Sequence, residues 1–203
     1  MRILDLDCGT GDTAANLAAT GGHHVIDAID ISAENILLAK AHHKSLMSAS
    51  QLRFSAANYR DWPPGAYDII FADSVLHLLE MESAEIYAKF AADTASSGML
   101  VVTLPVDSLQ NRLLVLFRAS WHCTPRAFDR LALFFAKRFY SKEAAEVLAS
   151  RIMYMRVLPR RLFGKSMLRS LKQVGFSLET QTMLPRVSFW KLEHVIAVLR
   201  KDH

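Results

Sequence analysis

The first hundred residues alternate between short apolar runs and amphipathic stretches, and this alternation restricts the possible folds more than any other feature. The apolar runs are strand candidates at residues 2–7, 24–30, 52–57, 67–73 and 99–105. Between them, apolar residues recur with helical spacing at residues 12–20, 33–46 and 82–95. Strands that alternate with helices of this length form right-handed βαβ units with a parallel sheet. The pattern therefore predicts a doubly wound α/β fold.

The pattern changes after Pro105. Residues 107–172 hold no convincing strand and several helical stretches rich in Leu, Phe and Arg, and residues 175–184 and 189–200 then return as strand candidates. We expect a Rossmann-like, mostly parallel, seven-stranded sheet with helices on both faces. The single domain would span residues 1–203, with a cofactor-binding core at 1–105, a helical insertion at 106–172 as substrate cover, and terminal strands at 173–203.

Length and composition indicate an ordinary globular domain. Of the 203 residues, 51% are apolar and 22% are charged. Two cysteines are too few for a disulfide framework and favour a reducing, cytoplasmic setting. No signal-peptide pattern opens the chain, and no apolar run approaches the ~18 residues of a membrane-spanning helix. We therefore expect a soluble protein; the sequence leaves its oligomeric state open, with a homodimer as one alternative.

The net charge of +4 is divided unevenly along the chain. Residues 1–104 contain 6 Lys and Arg against 13 Asp and Glu, whereas residues 105–203 contain 18 against 7. Either a solvated helical surface or attraction of an anionic substrate or membrane explains this asymmetry. Arg160, Arg161 and Lys165 are the candidates for peripheral membrane contact. Nucleic acid is not expected as a partner, because the basic half lacks interleaved exposed aromatic residues.

A glycine-rich loop, LDLDCGTGD at residues 4–12, joins the first strand to the first helix. Gly9, Gly11 and Ala14 fit the pattern G-x-G-x-x-[GA], and Asp30 ends the next strand about twenty residues later. Such glycines let the backbone approach a ligand, and such a carboxylate accepts hydrogen bonds from ribose hydroxyls. A tight turn without a ligand is the alternative. Asp5, within the first strand, favours a ligand with an ammonium group over a pyrophosphate.

Five segments resemble, in order, the motifs of the class I S-adenosylmethionine-dependent methyltransferases. They span residues 2–105 and read ILDLDCGTG, VIDAIDIS, LRFSAANYRDWP, YDIIFADSVLHLL and SSGMLVVTLP. The resemblance implies S-adenosyl-L-methionine as cofactor and methyl transfer to a small molecule. Because the insertion mixes large apolar residues with arginines, we expect a lipophilic, aromatic or acidic acceptor.

The same resemblance implies a set of functional residues. It assigns twelve positions to cofactor binding: Asp5, Asp7, Cys8, Gly9, Thr10, Gly11, Asp30, Ile31, Ala57, Asn58, Asp73 and Ser74. Within this set, Asp5 would lie near the cofactor's amino group, Asp30 at the ribose hydroxyls and Asn58 at the adenine amino group. His77, which follows the fourth strand, is the candidate catalytic base.

Two features depart from the family pattern. Asp7 stands where the family has glycine, and the chain begins just before the first strand, without the helices that usually precede it. We expect the loop to retain cofactor binding in spite of Asp7. Three alternatives remain: a non-catalytic cofactor-binding or partner protein with a decayed loop, a nicotinamide-dependent oxidoreductase, and a lipid- or quinone-directed transferase at a membrane.

The pairs His23–His24 and His42–His43 do not predict a metal site. Adjacent residues point apart on a strand or a helix, and no cysteine or carboxylate joins either pair in the sequence. We interpret all four as surface histidines and expect no metal.

Overall fold

The computed structural model describes residues 1–49, 51–76, 79–140, 144–185 and 191–202. Within these ranges one sheet is formed by seven strands: β1 (Arg2–Leu6), β2 (Val25–Asp30), β3 (Gln51–Ala56), β4 (Tyr67–Asp73), β5 (Thr94–Pro105), β6 (Phe176–Met183) and β7 (His194–Lys201). The order is β3-β2-β1-β4-β5-β7-β6, and β7 runs antiparallel to both of its neighbours. The predicted mostly parallel, doubly wound sheet is confirmed.

Eight α-helices lie in the described part of the chain: α1 (Asp12–Ala19), α2 (Ala33–His42), α3 (Lys44–Ala49), α4 (Ser83–Asp93), α5 (Leu109–His122), α6 (Ala127–Phe139), α7 (Ala145–Tyr154) and α8 (Lys165–Gln173). A short 3₁₀ helix covers Tyr59–Asp61. Serine side chains cap the N-termini of α2 and α5. The hydroxyl of Ser32 accepts a hydrogen bond from Asn35 N, and that of Ser108 accepts one from Asn111 N.

The sheet separates two apolar clusters, because successive residues of a strand point to opposite faces. In β1, Ile3 joins the cluster that α1, α2 and α3 cover, whereas Leu4 and Leu6 join the larger cluster beneath α4 and α8. Phe90 of α4 and Leu171 of α8 are fully buried in that larger cluster. Both faces of the sheet are thus covered by helices, so a ligand site has to lie at the ends of the strands.

Two predicted helices end earlier than the sequence pattern indicates. The helix predicted over 33–46 divides at His43, which ends α2 because its ring turns back to the loop after β1. The helix predicted over 82–95 ends at Asp93. Thr94 starts β5 instead, where it pairs with Tyr67 of β4 while its hydroxyl donates to the Phe90 carbonyl at 2.7 Å.

The four helices between β5 and β6 do not share one environment. α8 packs on α4 and β6, and its Met167 and Leu171 belong to the sheet core. Residues 165–172, expected within the insertion, therefore belong to the helices that pack on the sheet. α6 packs on α7 and contains no buried residue. Among the described residues, no helix has both the length and the apolar character that a membrane span requires.

Candidate active site

Asp30 joins the loop after β1 to the start of α2. Its side chain is 3% exposed at the end of β2. Its Oδ2 accepts a hydrogen bond from Gly9 N at 2.8 Å, and its Oδ1 accepts one from Ser32 N at 2.7 Å. A weaker bond from Asn35 Nδ2 reaches Oδ1 at 3.4 Å. The carboxylate predicted to bind ribose thus also fixes the backbone that surrounds it.

The loop after β1 turns through three residues in the left-handed region. Asp7 has φ 61°, Gly9 has φ 55° and Gly11 has φ 86°. A left-handed conformation is strained for residues other than glycine, and Asp7 adopts it at the position where the family pattern implied by the resemblance has glycine. Space in front of Gly9 is open, whereas a Cβ on Gly11 would meet the Phe54 ring at 2.5 Å. Gly9 therefore allows a ligand to approach, and Gly11 allows α1 to pack closely.

His43 braces this loop from the far side. Its Nε2 donates to the Thr10 carbonyl at 3.1 Å and lies 3.5 Å from the Asp12 carboxylate. Its side chain is 16% exposed and its ring lies 6.0 Å from that of Phe54. The expectation that His43 is a surface histidine is therefore wrong, because the turn between α2 and α3 directs it inward.

Three more carboxyl groups gather near Asp30. Asp5 is 3% exposed, and burial, with the charges of Asp73 and Asp7, raises its pKa to about 7 although the Ala14 N–H bond opposes the shift. Burial of the Asp7 carboxyl, with the charge and hydrogen bond of Asp30, raises the pKa of Asp7 to about 6. Oδ2 of Asp5 is buried without a hydrogen-bond partner among the described residues. The cluster favours a cationic ligand group and opposes a phosphate.

A pocket of about 330 Å³ lies beside these carboxyls, at the ends of β1 and β2. Its wall includes five of the twelve expected cofactor-binding residues: Asp7, Asp30, Ile31, Ala57 and Asn58. Apolar side chains of Leu6 and Ile29 complete this side of the wall. A mostly apolar pocket with a few fixed polar groups is the usual form of a small-molecule site.

The opposite wall belongs to the loop after β4, and Arg161 holds that loop in place. Arg161 is 8% exposed and donates to the carbonyls of Leu76 and Leu79 at 3.0 Å each. It also donates to the Met81 carbonyl and, at 3.1 Å, to Ser83 Oγ. Arg161 therefore cannot contact a membrane as expected, because its guanidinium is turned inward onto backbone carbonyls.

Seven expected cofactor-binding residues lie outside the wall of this pocket. Five of them border the carboxyl cluster or its loop: Asp5, Gly9, Thr10, Asp73 and Ser74. Gly11 packs on Phe54, and Cys8 packs on the cluster under α1. Burial and the adjacent carboxylates raise the pKa of the Cys8 thiol to about 12, so it stays protonated. His77, the candidate base, lies outside the described residues.

The raised pKa of Asp5 predicts how stability depends on pH. Below about pH 4 both folded and unfolded chains hold the Asp5 proton, and the folded chain alone keeps it up to about pH 7. Stability therefore falls as pH rises through this window. Asp5→Asn keeps the shape of the protonated acid, and we expect it to raise the free energy of unfolding at pH 8 by about 2–4 kcal/mol. Urea titrations of the native chain and of Asp5→Asn at about pH 4 and at pH 8 measure this effect. Equal stability of the two chains at pH 8 would contradict the prediction.

Comparison with known proteins finds a matching family for the N-terminal part of the chain. Residues 3–98 match the model of a family described as a methyltransferase domain. The O-methyltransferase rstn1 of Aspergillus nomiae is 36% identical over 89 residues, which cover 41% of this chain and 38% of the relative. The chain spans 31–38% of the length of the curated relatives it matches.

Solved structures share the fold over nearly the whole chain. The N-methyltransferase NodS of Bradyrhizobium japonicum WM9, in complex with S-adenosyl-L-homocysteine, superposes with a TM-score of 0.63 at 13% identity, covering 100% of this chain and 78% of NodS. The [4+2]-cyclase SpnF gives a TM-score of 0.63 at 17% identity, covering 99% of this chain and 75% of SpnF. Residues 3–98 therefore form a methyltransferase domain, and the strand order and the loop after β1 agree with the fold of the class I S-adenosylmethionine-dependent methyltransferases.

Proposed function

We propose that the chain binds S-adenosyl-L-methionine and transfers its methyl group to an oxygen atom of a small lipophilic, aromatic or acidic molecule. The observation that carries the proposal is the pocket walled by Asp30 beside the cluster of Asp5, Asp7 and Asp73. The cofactor combines an adenosine with a sulfonium and an ammonium group, which this arrangement matches. A nicotinamide dinucleotide is disfavoured, because its pyrophosphate would lie against these carboxylates.

In this proposal each part of the site holds a different part of the cofactor. Asp30 accepts the ribose hydroxyls, and Ile31, which is 72% exposed, is free to pack beside the adenine. Asn58 Oδ1 already accepts Arg60 N at 3.0 Å and keeps a second lone pair for the adenine amino group. The unpaired Oδ2 of Asp5 receives the ammonium, directly or through water.

The bound cofactor supplies a methyl group activated by its sulfonium, so the chain mainly has to align the acceptor and exclude water. A hydroxyl acceptor also benefits from a base whose pKa is near neutral, and His77 is the proposed base. Helices α5 to α7 are the proposed cover of the acceptor. An oxygen acceptor is chosen because the curated relatives are O-methyltransferases.

The test is product formation from lipophilic phenols and carboxylic acids. We expect a mass increase of one methyl group in the acceptor together with formation of S-adenosylhomocysteine. At subsaturating cofactor, Asp30→Ala should form at least about tenfold less product. A non-catalytic cofactor-binding protein is the second candidate, because Asp7 replaces the usual glycine. That candidate predicts cofactor binding without turnover of any acceptor.

Asp7 competes with the cofactor, because its carboxyl hydrogen-bonds to the Asp30 group that the ribose needs. Asp7→Gly should therefore tighten S-adenosylhomocysteine binding by about fivefold, equivalent to one recovered hydrogen bond. It should also raise the free energy of unfolding by about 1 kcal/mol, since glycine relieves the left-handed strain at φ 61°. Calorimetric titration and urea denaturation measure the two effects.

Asp7→Asn is the matched control for this experiment. Asparagine keeps the size of the side chain and tolerates left-handed backbone, but it removes the titrating proton. Binding as tight as that of Asp7→Gly would mean that the charge of Asp7 opposes the cofactor. Weaker binding by Asp7→Gly than by the native chain would contradict the competition and assign Asp7 to the ammonium.

A further inference from the structure

Helix α6 presents an apolar face of large side chains that the described part of the chain leaves about half exposed or more. Phe128, Leu131, Phe135 and Phe139 recur at intervals of three or four residues, so they share one face of the helix. Their exposed fractions are 48%, 51%, 51% and 78%, and the neighbouring Phe134 is 68% exposed. We call the first four residues the α6 stripe. A contiguous stripe of large apolar side chains in water indicates an interaction surface.

The other side of α6 already has a partner. Asp129, Arg130 and Leu133 line a small cleft together with residues of α7, and the two helices pack on each other. Because α7 holds this inner side, the stripe is directed away from α7. The stripe is therefore not the face by which the helix folds.

The polar residues of α6 are cationic on its outer surface. Arg130, Lys137 and Arg138 are all exposed, and Arg130 also borders the cleft with α7. The one acidic residue of the helix, Asp129, is turned inward and accepts bonds from Nε and Nη2 of Arg156 at 2.8 Å each. Its charge is thus neutralised on the protein side. Phenylalanines beside exposed arginine and lysine characterise helices that lie in the interface of anionic bilayers.

We propose that α6 is the docking surface of this protein for anionic lipid bilayers. The α6 stripe enters the interface between headgroups and acyl chains, and Arg130, Lys137 and Arg138 contact the lipid phosphates. A second copy of the chain is a poorer occupant, because a two-fold axis through the stripe would bring these same cations together. The surface differs from the one expected at Arg160, Arg161 and Lys165, since Arg161 is committed to the pocket loop.

Cosedimentation with vesicles tests this proposal. The full chain is mixed with phosphatidylcholine vesicles that contain about 30% phosphatidylserine, at about 0.15 M salt. We expect at least about tenfold more bound protein than with pure phosphatidylcholine, and loss of most binding at about 1 M salt. The double variant Leu131→Glu/Phe135→Glu should lose binding at least about tenfold, and its melting temperature should match that of the native chain because both side chains are exposed.

Leu37→Glu is the matched control, since Leu37 is 68% exposed on α2, in the acidic half of the chain. This variant should bind vesicles as the native chain does. Equal binding by the native chain and the double variant would overturn the proposal. So would an absence of vesicle binding together with a dimer, detected by sedimentation velocity, that the double variant dissociates; the stripe would then join two copies.

Discussion

Asp30→Ala is expected to weaken S-adenosylhomocysteine binding by about tenfold to a hundredfold, the cost of about 1.5–3 kcal/mol for removing a charged acceptor. Two losses combine in this variant. The ribose hydroxyls lose their carboxylate in the pocket wall, and Gly9 N and Ser32 N lose the oxygen atoms that fix them at 2.8 and 2.7 Å. Isothermal titration calorimetry of the purified variant measures the change in affinity.

Asp27→Asn is the control for this variant, because Asp27 lies in the same strand and is also buried. Its carboxylate accepts the Tyr67 hydroxyl at 3.2 Å and lies outside the pocket wall. We expect it to leave affinity unchanged, whatever it does to stability. Equal losses in both variants would mean that the effect arises from weakening of β2, and unchanged affinity in Asp30→Ala would refute the assignment of Asp30 to the ribose.

Arg161→Met should lower the free energy of unfolding by about 2–4 kcal/mol, because it leaves buried carbonyls without donors. The carbonyls of Leu76, Leu79 and Met81 all accept bonds from this one guanidinium. Since Leu79 and Met81 also line the pocket, cofactor affinity should fall with stability. Urea denaturation gives the first value, and calorimetry at a temperature where the variant is folded gives the second.

The adjacent Arg160 provides a sharp comparison. Arg160 is exposed and pairs with the exposed Glu80 at 3.0 Å, an arrangement that contributes little to stability. Arg160→Met should therefore unfold at the same urea concentration as the native chain. If both variants are equally stable, Arg161 does not hold the pocket loop in solution. If both variants are equally destabilised, the chain around Arg160 and Arg161 contributes to stability through its packing and not through the Arg161 hydrogen bonds.

The sequence predicts the sheet and the position of Asp30 because both depend on local pattern. Apolar runs that alternate with helical spacing define βαβ units, and a carboxylate at the end of a parallel strand must lie at the open edge of the sheet. The loop after β1 is recognisable for the same reason, since glycines mark the residues where the chain turns. These features require no knowledge of what packs against them.

Other parts of the site depend on contacts between residues far apart in the sequence. Arg160 and Arg161 are adjacent and identical in type, yet only Arg161 is buried. The loop after β4 lies on the side of the chain to which Arg161 points, and it covers the guanidinium. His43 braces the loop after β1 only because α2 ends beside it. The α6 stripe has the same helical spacing as a buried face, so the sequence alone does not separate a core helix from a docking helix.

The most direct test of the proposed site is a calorimetric titration of the native chain with S-adenosyl-L-methionine at pH 6 and at pH 8. We predict saturable one-to-one binding in the micromolar range. Affinity should rise between the two pH values, because Asp5, with a pKa of about 7, must ionise to hold the ammonium group. S-adenosylhomocysteine, which keeps the ammonium group, should show the same rise. Absence of saturable binding at both pH values, by a chain that still melts cooperatively, would contradict the assignment of the pocket.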